Sequence, residues 1–307
     1  MIPAPMVRPA PEPNINLMQH KDPLPELMIQ APAKINLGLE ILRRRADGYH
    51  DINTVFAAVG IFDEITLHRR MDGRIICRVE GNPELETGED NLCVRAAKAL
   101  REAIADDSHG LDITLLKRIP MGAGLGGGSS DAAAVLAGAA RLWELRPERE
   151  LLHDIAAGLG SDVPFFLLGG FAHAASRGEV LAPVELQLPY GVLLVNPGIH
   201  VPTPWAYRAV GRTGEQPATD LTGHLRNAAG NAGLLREHIT NDFEEAVFTE
   251  HPVLPELKRR LYDAGAVLAL MSGSGSTMFG LFSTPQAAEL AAPKFSEYWT
   301  CATRFVR

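Results

Sequence analysis

Cysteine is scarce: the 307 residues contain only Cys77, Cys93 and Cys301, with no CxxC pair among them. An odd count without pairing excludes a disulfide framework and a zinc ribbon, and free thiols suit a reducing cytoplasm. No apolar run approaches the ~20 residues that a membrane span requires, so no membrane partner is expected. Positive charge is also short, with Lys+Arg 29 against Asp+Glu 37 and a formal net charge of -8. That balance argues against a nucleic-acid partner, whose phosphates need a basic surface. The 10 histidines show no HExxH or other paired spacing, so no dedicated protein metal site is expected. There is no Gly-Lys pair, which excludes a Walker A loop.

Proline, by contrast, crowds the N-terminus, at positions 3, 5, 9, 11, 13, 23 and 25. Residues 1–27 lack the apolar stretch of a signal peptide and read as a flexible extension that adds little to a core. From Met28 onward the chain looks globular, since 46% of all residues are hydrophobic and 21% charged. Residues 28–42 alternate in their second half, with Ile35, Leu37, Leu39 and Ile41 predicted on one face of a strand. Further strands are predicted over 52–59, 63–68 and 74–80, with Asp72-Gly73 as a hairpin turn. Asn91 suits the cap of a helix reaching about residue 105, and residues 111–117 return as a strand. Helices follow over about 129–145 and 147–159. In the second half, strands are predicted over 190–195, 266–271, 277–282 and 300–306. Helices are predicted over 241–250, 255–264 and 286–295, and residues 211–231 read as a long loop. The mixed order of strands and helices favours an α+β fold over a doubly wound parallel sheet.

The most informative stretch is Pro120-Met121-Gly122-Ala123-Gly124-Leu125-Gly126-Gly127-Gly128-Ser129-Ser130. Its glycines allow positive φ and a close approach of backbone to ligand, so successive N–H groups can converge on an anion. A helix follows, whose first N–H groups and dipole add to the attraction. A dinucleotide fingerprint is formally present at Gly122, Gly124 and Gly127. It is weakened because the next helix leads to another helix, not to a strand ending in an acid. A merely flexible loop is the remaining reading of the same residues.

The same stretch resembles the ATP-binding motif of the GHMP kinases, named for galactokinase, homoserine, mevalonate and phosphomevalonate kinases. Ala31-Pro32-Ala33-Lys34-Ile35-Asn36-Leu37 is similar to the first motif of that superfamily, and Met271-Ser272-Gly273-Ser274-Gly275-Ser276-Thr277 to its third. The resemblance runs through nearly the whole chain from Met28. It implies a two-domain fold with the active site in the interdomain cleft: an ATP-binding domain over 28–172 and a C-terminal domain over 173–307. Arg45-Ala46-Asp47-Gly48-Tyr49-His50, Gly160-Ser161-Asp162-Val163-Pro164-Phe165-Phe166 and the segment 197–204 resemble the branch whose substrate is a cytidine-diphosphate-linked methylerythritol.

That resemblance implies ATP-dependent phosphorylation of the 2-hydroxyl of such a substrate, in the non-mevalonate route to isoprenoid precursors. Asp162 would be the base or orienting carboxylate, and Lys34 would offset charge on the moving phosphoryl group. The segment 120–130 would cradle the phosphates, with Asn91 and the backbone around Lys117 bordering adenine. Asn36 and Thr203 would hold substrate, Tyr49 and Tyr207 would cover the two faces of cytosine, and His50 would read its edge. Mg²⁺ would enter as the ATP complex. Other GHMP kinases are the nearest alternative, and a non-catalytic nucleotide-binding protein on the same fold is a second. The latter is disfavoured because both Lys34 and Asp162 are present.

Overall fold

The apolar alternation after Met28 forms β1 (Leu27–Arg44), and it pairs antiparallel with the still longer β2 (His50–Arg70). These coordinates are a computed structural model that describes residues 26–306 apart from 82–84, 86, 213 and 229. The proline-rich stretch 1–25 lies outside the described residues. The two strands predicted over 52–59 and 63–68 are one, because β1 gives them a common partner. The register shift between Pro32 and Ala33 absorbs the break near Gly60.

The first half continues through β3 (Ile75–Glu80), α1 (Leu92–Ile104), β4 (Gly110–Leu116), α2 (Gly127–Leu142), α3 (Arg149–Leu159), α4 (Val163–Leu168), β5 (Phe171–Ala175) and β6 (Val180–Pro183). β1 lies along one edge of β2, while β4 and β5 share its other edge. Gly73 turns the chain at φ 69°, yet no hairpin closes there. β4 inserts between β2 and β3, and β3 pairs parallel to β4. A parallel pair needs a crossover, and α1 provides it. Asn91 caps α1 as predicted, its side chain accepting from Cys93 N at 2.9 Å. The domain boundary expected between 172 and 173 runs through β5, whose pairing with β2 and β6 keeps residues 171–183 in the first sheet.

The second half comprises β7 (Gly191–Asn196), α5 (Thr203–Val210), α6 (Leu221–Asn227), α7 (Ala232–His238), α8 (Glu244–Glu250), α9 (Val253–Asp263), β8 (Leu268–Met271), β9 (Met278–Phe282), α10 (Pro285–Ala291) and β10 (Trp299–Arg304). Its sheet has the order β10-β7-β9-β8 and is antiparallel throughout. The long loop predicted over 211–231 contains α6. Asp220 caps that helix, accepting from Gly223 N at 2.8 Å, and Leu221 and Leu225 bury its short apolar stripe. No helix among the described residues is long and apolar enough to cross a membrane.

Alternation along β1 decides what reaches the site. Ala33, Ile35 and Leu37 enter a core shared by both sheets, packed with Val192, Leu194, Leu270 and Phe279. Lys34 and Asn36, on the opposite parity, face away from that core. At Gly38, with φ 85°, the register shifts. Leu39 and Ile41 therefore join a different cluster, under α8 and α9, instead of continuing the face of Ile35 and Leu37 as predicted. Gly38 is required there for space as well as conformation, because a Cβ would stand 3.0 Å from Leu221 Cδ2.

Candidate active site

Ten of the predicted residues line one cleft of about 1070 Å³: Lys34, Asn36, Tyr49, His50, Gly122, Gly124, Gly126, Asp162, Thr203 and Tyr207. The glycine loop divides by parity. Gly122, Gly124 and Gly126 face the cleft at φ 59°, 77° and 70°, while Ala123 and Leu125 are buried in the shared core. Gly126 caps α2 without any side-chain bond, so the first N–H groups of that 16-residue helix lack a side-chain cap. The loop is clasped from both domains. Lys34 N donates to Leu125 O at 2.9 Å, and Ser272 Oγ donates to Gly124 O at 2.9 Å. A Cβ on Gly124 would lie 2.0 Å from Ser272 O, a contact no side chain can make.

The other members of the predicted loop do not line the cleft. Met121 and Gly128 are exposed, Pro120 and Ser129 are half-buried, and Gly127 and Ser130 are buried. Asn91 and Lys117 do not line the cleft. Lys117 instead sits in a buried ion cluster, its Nζ bonded to Asp63 and, at 2.8 Å, to Asp131. Asp63 also accepts from Arg118 N at 2.5 Å and Ile119 N at 2.9 Å, which anchors the start of the glycine loop.

Two carboxylates thus share one ammonium. Burial pushes the Asp131 carboxyl up to about 7, although Lys117 pulls it down and Asp63 adds repulsion. For Lys117, burial lowers its pKa but the two carboxylates outweigh it, and the net shift is upward. Because Asp131 is raised from its ordinary 3.8, its contribution to stability is complete below about pH 4 and is lost as pH rises through 7. The expected result is that wild type loses stability relative to Asp131→Asn between pH 5 and 8. The slope cannot exceed about 1.4 kcal/mol per pH unit for one proton. Denaturant midpoints across that range check it; parallel profiles for the two proteins would remove Asp131 from the account.

The cleft floor holds the Lys34–Asp162 pair. Lys34 is buried, donates to Asn36 Oδ1 at 2.8 Å and lies 3.4 Å from Asp162 Oδ2. Its Nζ also sits 4.9 Å over the Phe56 ring. Asn36 is oriented in turn by donating to Thr54 Oγ1 at 3.0 Å. Asp162 occupies the cap position of α4, but its side chain makes no capping bond. The carboxylate is therefore directed to Lys34 while remaining partly exposed to the cleft.

Aromatic groups sit at the far end. The His50 and Tyr207 rings stack, with centroids 4.6 Å apart and 11° between planes, and Tyr207 meets Phe243 edge-on. Burial and then Arg44 lower the His50 pKa, so the imidazole is neutral near pH 7. Burial and then Asp162 raise the Tyr207 hydroxyl. Tyr49 is exposed, with the Arg177 guanidinium 4.8 Å from its ring centroid. Thr203 Oγ1 and Ser274 Oγ are 3.0 Å apart. Arg44, Arg177, Arg208, Arg212, His200 and Ser274 also line the cleft, and none was predicted. His200 and Ser274 fall inside segments quoted for their resemblance. The four arginines carry no local sequence signal, yet they place positive charge in a protein that is acidic overall.

The profile of the GHMP kinases N terminal domain matches residues 91–170, and that of the GHMP kinases C terminal matches residues 224–301. A 4-diphosphocytidyl-2-C-methyl-D-erythritol kinase from Prosthecochloris aestuarii is 45% identical over 273 residues, covering 88% of this chain and 94% of that protein. The chain belongs to this family of GHMP kinases. A protein of the same name as that relative, from Geobacter metallireducens, is 41% identical, over 91% of this chain and 98% of its own length. A crystal structure of 4-(cytidine 5'-diphospho)-2C-methyl-D-erythritol kinase superposes with a TM-score of 0.79 at 38% identity, covering 92% of this chain and 100% of the other. A homoserine kinase from Cytophaga hutchinsonii shares the fold, with a TM-score of 0.70 at 18% identity. The α+β, two-domain GHMP architecture read from the sequence is the one observed, and the chain is a small-molecule kinase.

Proposed function

We propose that the chain transfers the γ-phosphoryl group of ATP to the 2-hydroxyl of 4-diphosphocytidyl-2-C-methyl-D-erythritol. The observation that carries this reading is the meeting of Lys34 and Asp162 between the glycine loop and the Tyr49–His50 end of the cleft. Phosphoryl transfer has a loose transition state, so catalysis consists of alignment and charge stabilisation. Asp162 orients the acceptor hydroxyl and takes its proton as the O–P bond forms. Lys34 offsets the charge on the transferring group, and Asn36 fixes the lysine. The phosphates lie against Gly122, Gly124 and Gly126, which line the cleft with left-handed backbone that only glycine adopts readily. Mg²⁺ accompanies ATP and neutralises phosphate charge, while the hard oxygens of Asp162, Thr203 and Ser274 line the same cleft.

The cytidyl group belongs at the other end. Tyr49 offers an exposed π face, and the neutral His50 can both donate and accept at a base edge. Tyr207 backs His50 by stacking on it, a supporting part instead of the second cytosine face expected from sequence. The four arginines suit the diphosphate. The free thiols of Cys77, Cys93 and Cys301 fit a cytoplasmic location.

The test is steady-state turnover of ATP with the cytidyl alcohol, its uridyl analogue, methylerythritol phosphate, homoserine and mevalonate. Only the cytidyl compound should turn over efficiently, and equal rates with homoserine or mevalonate would overturn the substrate assignment. Tyr49→Ala should raise KM for the cytidyl alcohol about 5- to 100-fold, since stacking on an aromatic side chain is worth ~1–3 kcal/mol per base. KM for ATP should stay near the wild-type value. A rise in both constants would place Tyr49 outside a base-specific pocket.

A further inference from the structure

Residues 240–244 do not belong to the three superfamily motifs, and only Phe243 of them lines the cleft. We propose that Asn241 is a positioning residue for phosphoryl transfer: it fixes the turn 271–276 against β1, and so sets the spacing between the glycine loop and the Lys34–Asp162 pair. This rests on the reaction proposed above.

The segment is bonded in two directions. Toward β1, Leu39 N donates to Thr240 O at 2.8 Å, Asp242 N to Leu39 O at 2.9 Å, and Ile41 N to Asp242 Oδ2 at 2.8 Å. Toward the turn, Asn241 Nδ2 donates to Met271 O and to Gly273 O, each at 2.8 Å. Met271 N returns a bond to Glu244 Oε1 at 2.9 Å. Asn241 is buried, and its Oδ1 accepts from Phe243 N at 2.9 Å. Both amide hydrogens and the amide oxygen are committed, so Asn241 acts through what it holds and not by touching a ligand.

What it holds borders both halves of the chemistry. Ser272 Oγ donates to Gly124 O, and Thr277 N donates to Ala123 O at 3.2 Å, which ties the turn to the glycine loop. On its other side, a Cβ built on Gly273 would lie 3.5 Å from Asn36 Oδ1, the atom that accepts from Lys34. The bonded path therefore runs from β1 through Asn241 to the turn, and from the turn to the phosphate cradle. Removing the amide leaves two buried carbonyls without their donor. The turn must then shift relative to Gly124, Asn36 or both.

The experiment compares wild type, Asn241→Asp and Val247→Ala by kcat, both KM values and melting temperature. Asn241→Asp keeps the side-chain shape but turns an oxygen toward the two carbonyls. It should lower kcat about 10²-fold, as expected for a misplacement of about 1 Å, and leave KM for the cytidyl alcohol within about twofold of wild type. Val247→Ala opens a cavity under the same segment, in α8, and should lower the melting temperature with kcat unchanged. Wild-type kcat in folded Asn241→Asp would overturn the positioning role and leave the reaction intact. Failure of wild type to phosphorylate the cytidyl alcohol would instead overturn the reaction. If Asn241→Asp does not fold, Ser272→Ala cuts the path at the loop end. It should lower kcat about tenfold, with KM for the cytidyl alcohol unchanged, and a wild-type kcat there would also overturn the proposal.

Discussion

Asp162→Asn should fold like the wild type and lose about 10²–10⁴ in kcat, the usual scale for removing a positioned general base. The fold is spared because the carboxylate heads α4 without a capping hydrogen bond, Pro164 near the helix start removes one donor that would need a cap, and Lys34 keeps its bond to Asn36. What disappears is the negative charge 3.4 Å from Lys34 Nζ, and with it the proposed acceptor for the substrate proton. Asparagine keeps the shape and can still orient a hydroxyl, so KM for the alcohol should change little. The measurement is kcat and KM for both substrates, with circular dichroism and melting temperature as the check on folding. A variant within about threefold of wild-type kcat would take Asp162 out of the reaction. Lys34→Met should give a similar loss of rate. It should also change stability, because this lysine is buried among Asn36, Phe56 and the loop.

Features that depend on neighbours in the chain were legible, and features that depend on distant partners were not. The parity of β1 separates Lys34 and Asn36 from Ala33, Ile35 and Leu37, and it can be read from period two alone. The glycine loop was legible for the same reason, since repeated glycines before a small-residue helix describe a local conformation. The hairpin at Asp72-Gly73 was a fair local inference, but β4 arrives some thirty residues later and takes the edge of β2 that β3 would have used. The resemblance implies only that the backbone around Lys117 borders a nucleotide pocket. The burial of Lys117 between Asp63 and Asp131, 54 and 14 residues away, follows only from the sheet pairing and the approach of α2. Arg177 reaches the cleft from the turn after β5, and Arg208 and Arg212 from the end of α5, so no single window of sequence brings them together.

Gly126→Val is the second substitution from which a large effect is expected, and the structure changes what it tests. From sequence it obstructs a phosphate cradle, which predicts a larger loss of affinity for ATP than for the cytidyl alcohol. In the fold, Gly126 has φ 70°, a region that costs roughly 1–2 kcal/mol for an ordinary residue. Its Cβ would also stand 2.9 Å from Phe166 Cζ and 3.1 Å from Lys34 Cγ. The Phe166 ring is only half-buried and can swing aside, but the Lys34 stem is enclosed. A branched side chain at 126 therefore presses Lys34 away from Asp162 at the same time as it narrows the loop. The expected outcome is a rise of about tenfold or more in KM for ATP together with a fall of about 10²-fold in kcat. KM for the cytidyl alcohol should be nearly unchanged, because Tyr49 and His50 lie at the β1–β2 turn and not at the loop. Gly158→Ala makes a suitable control, since a Cβ there meets nothing within 4 Å. Loss of ATP affinity with full kcat would mean that Lys34 does not feel the loop. Equal loss for both substrates with a collapsed melting temperature would mean that the loop matters only for folding.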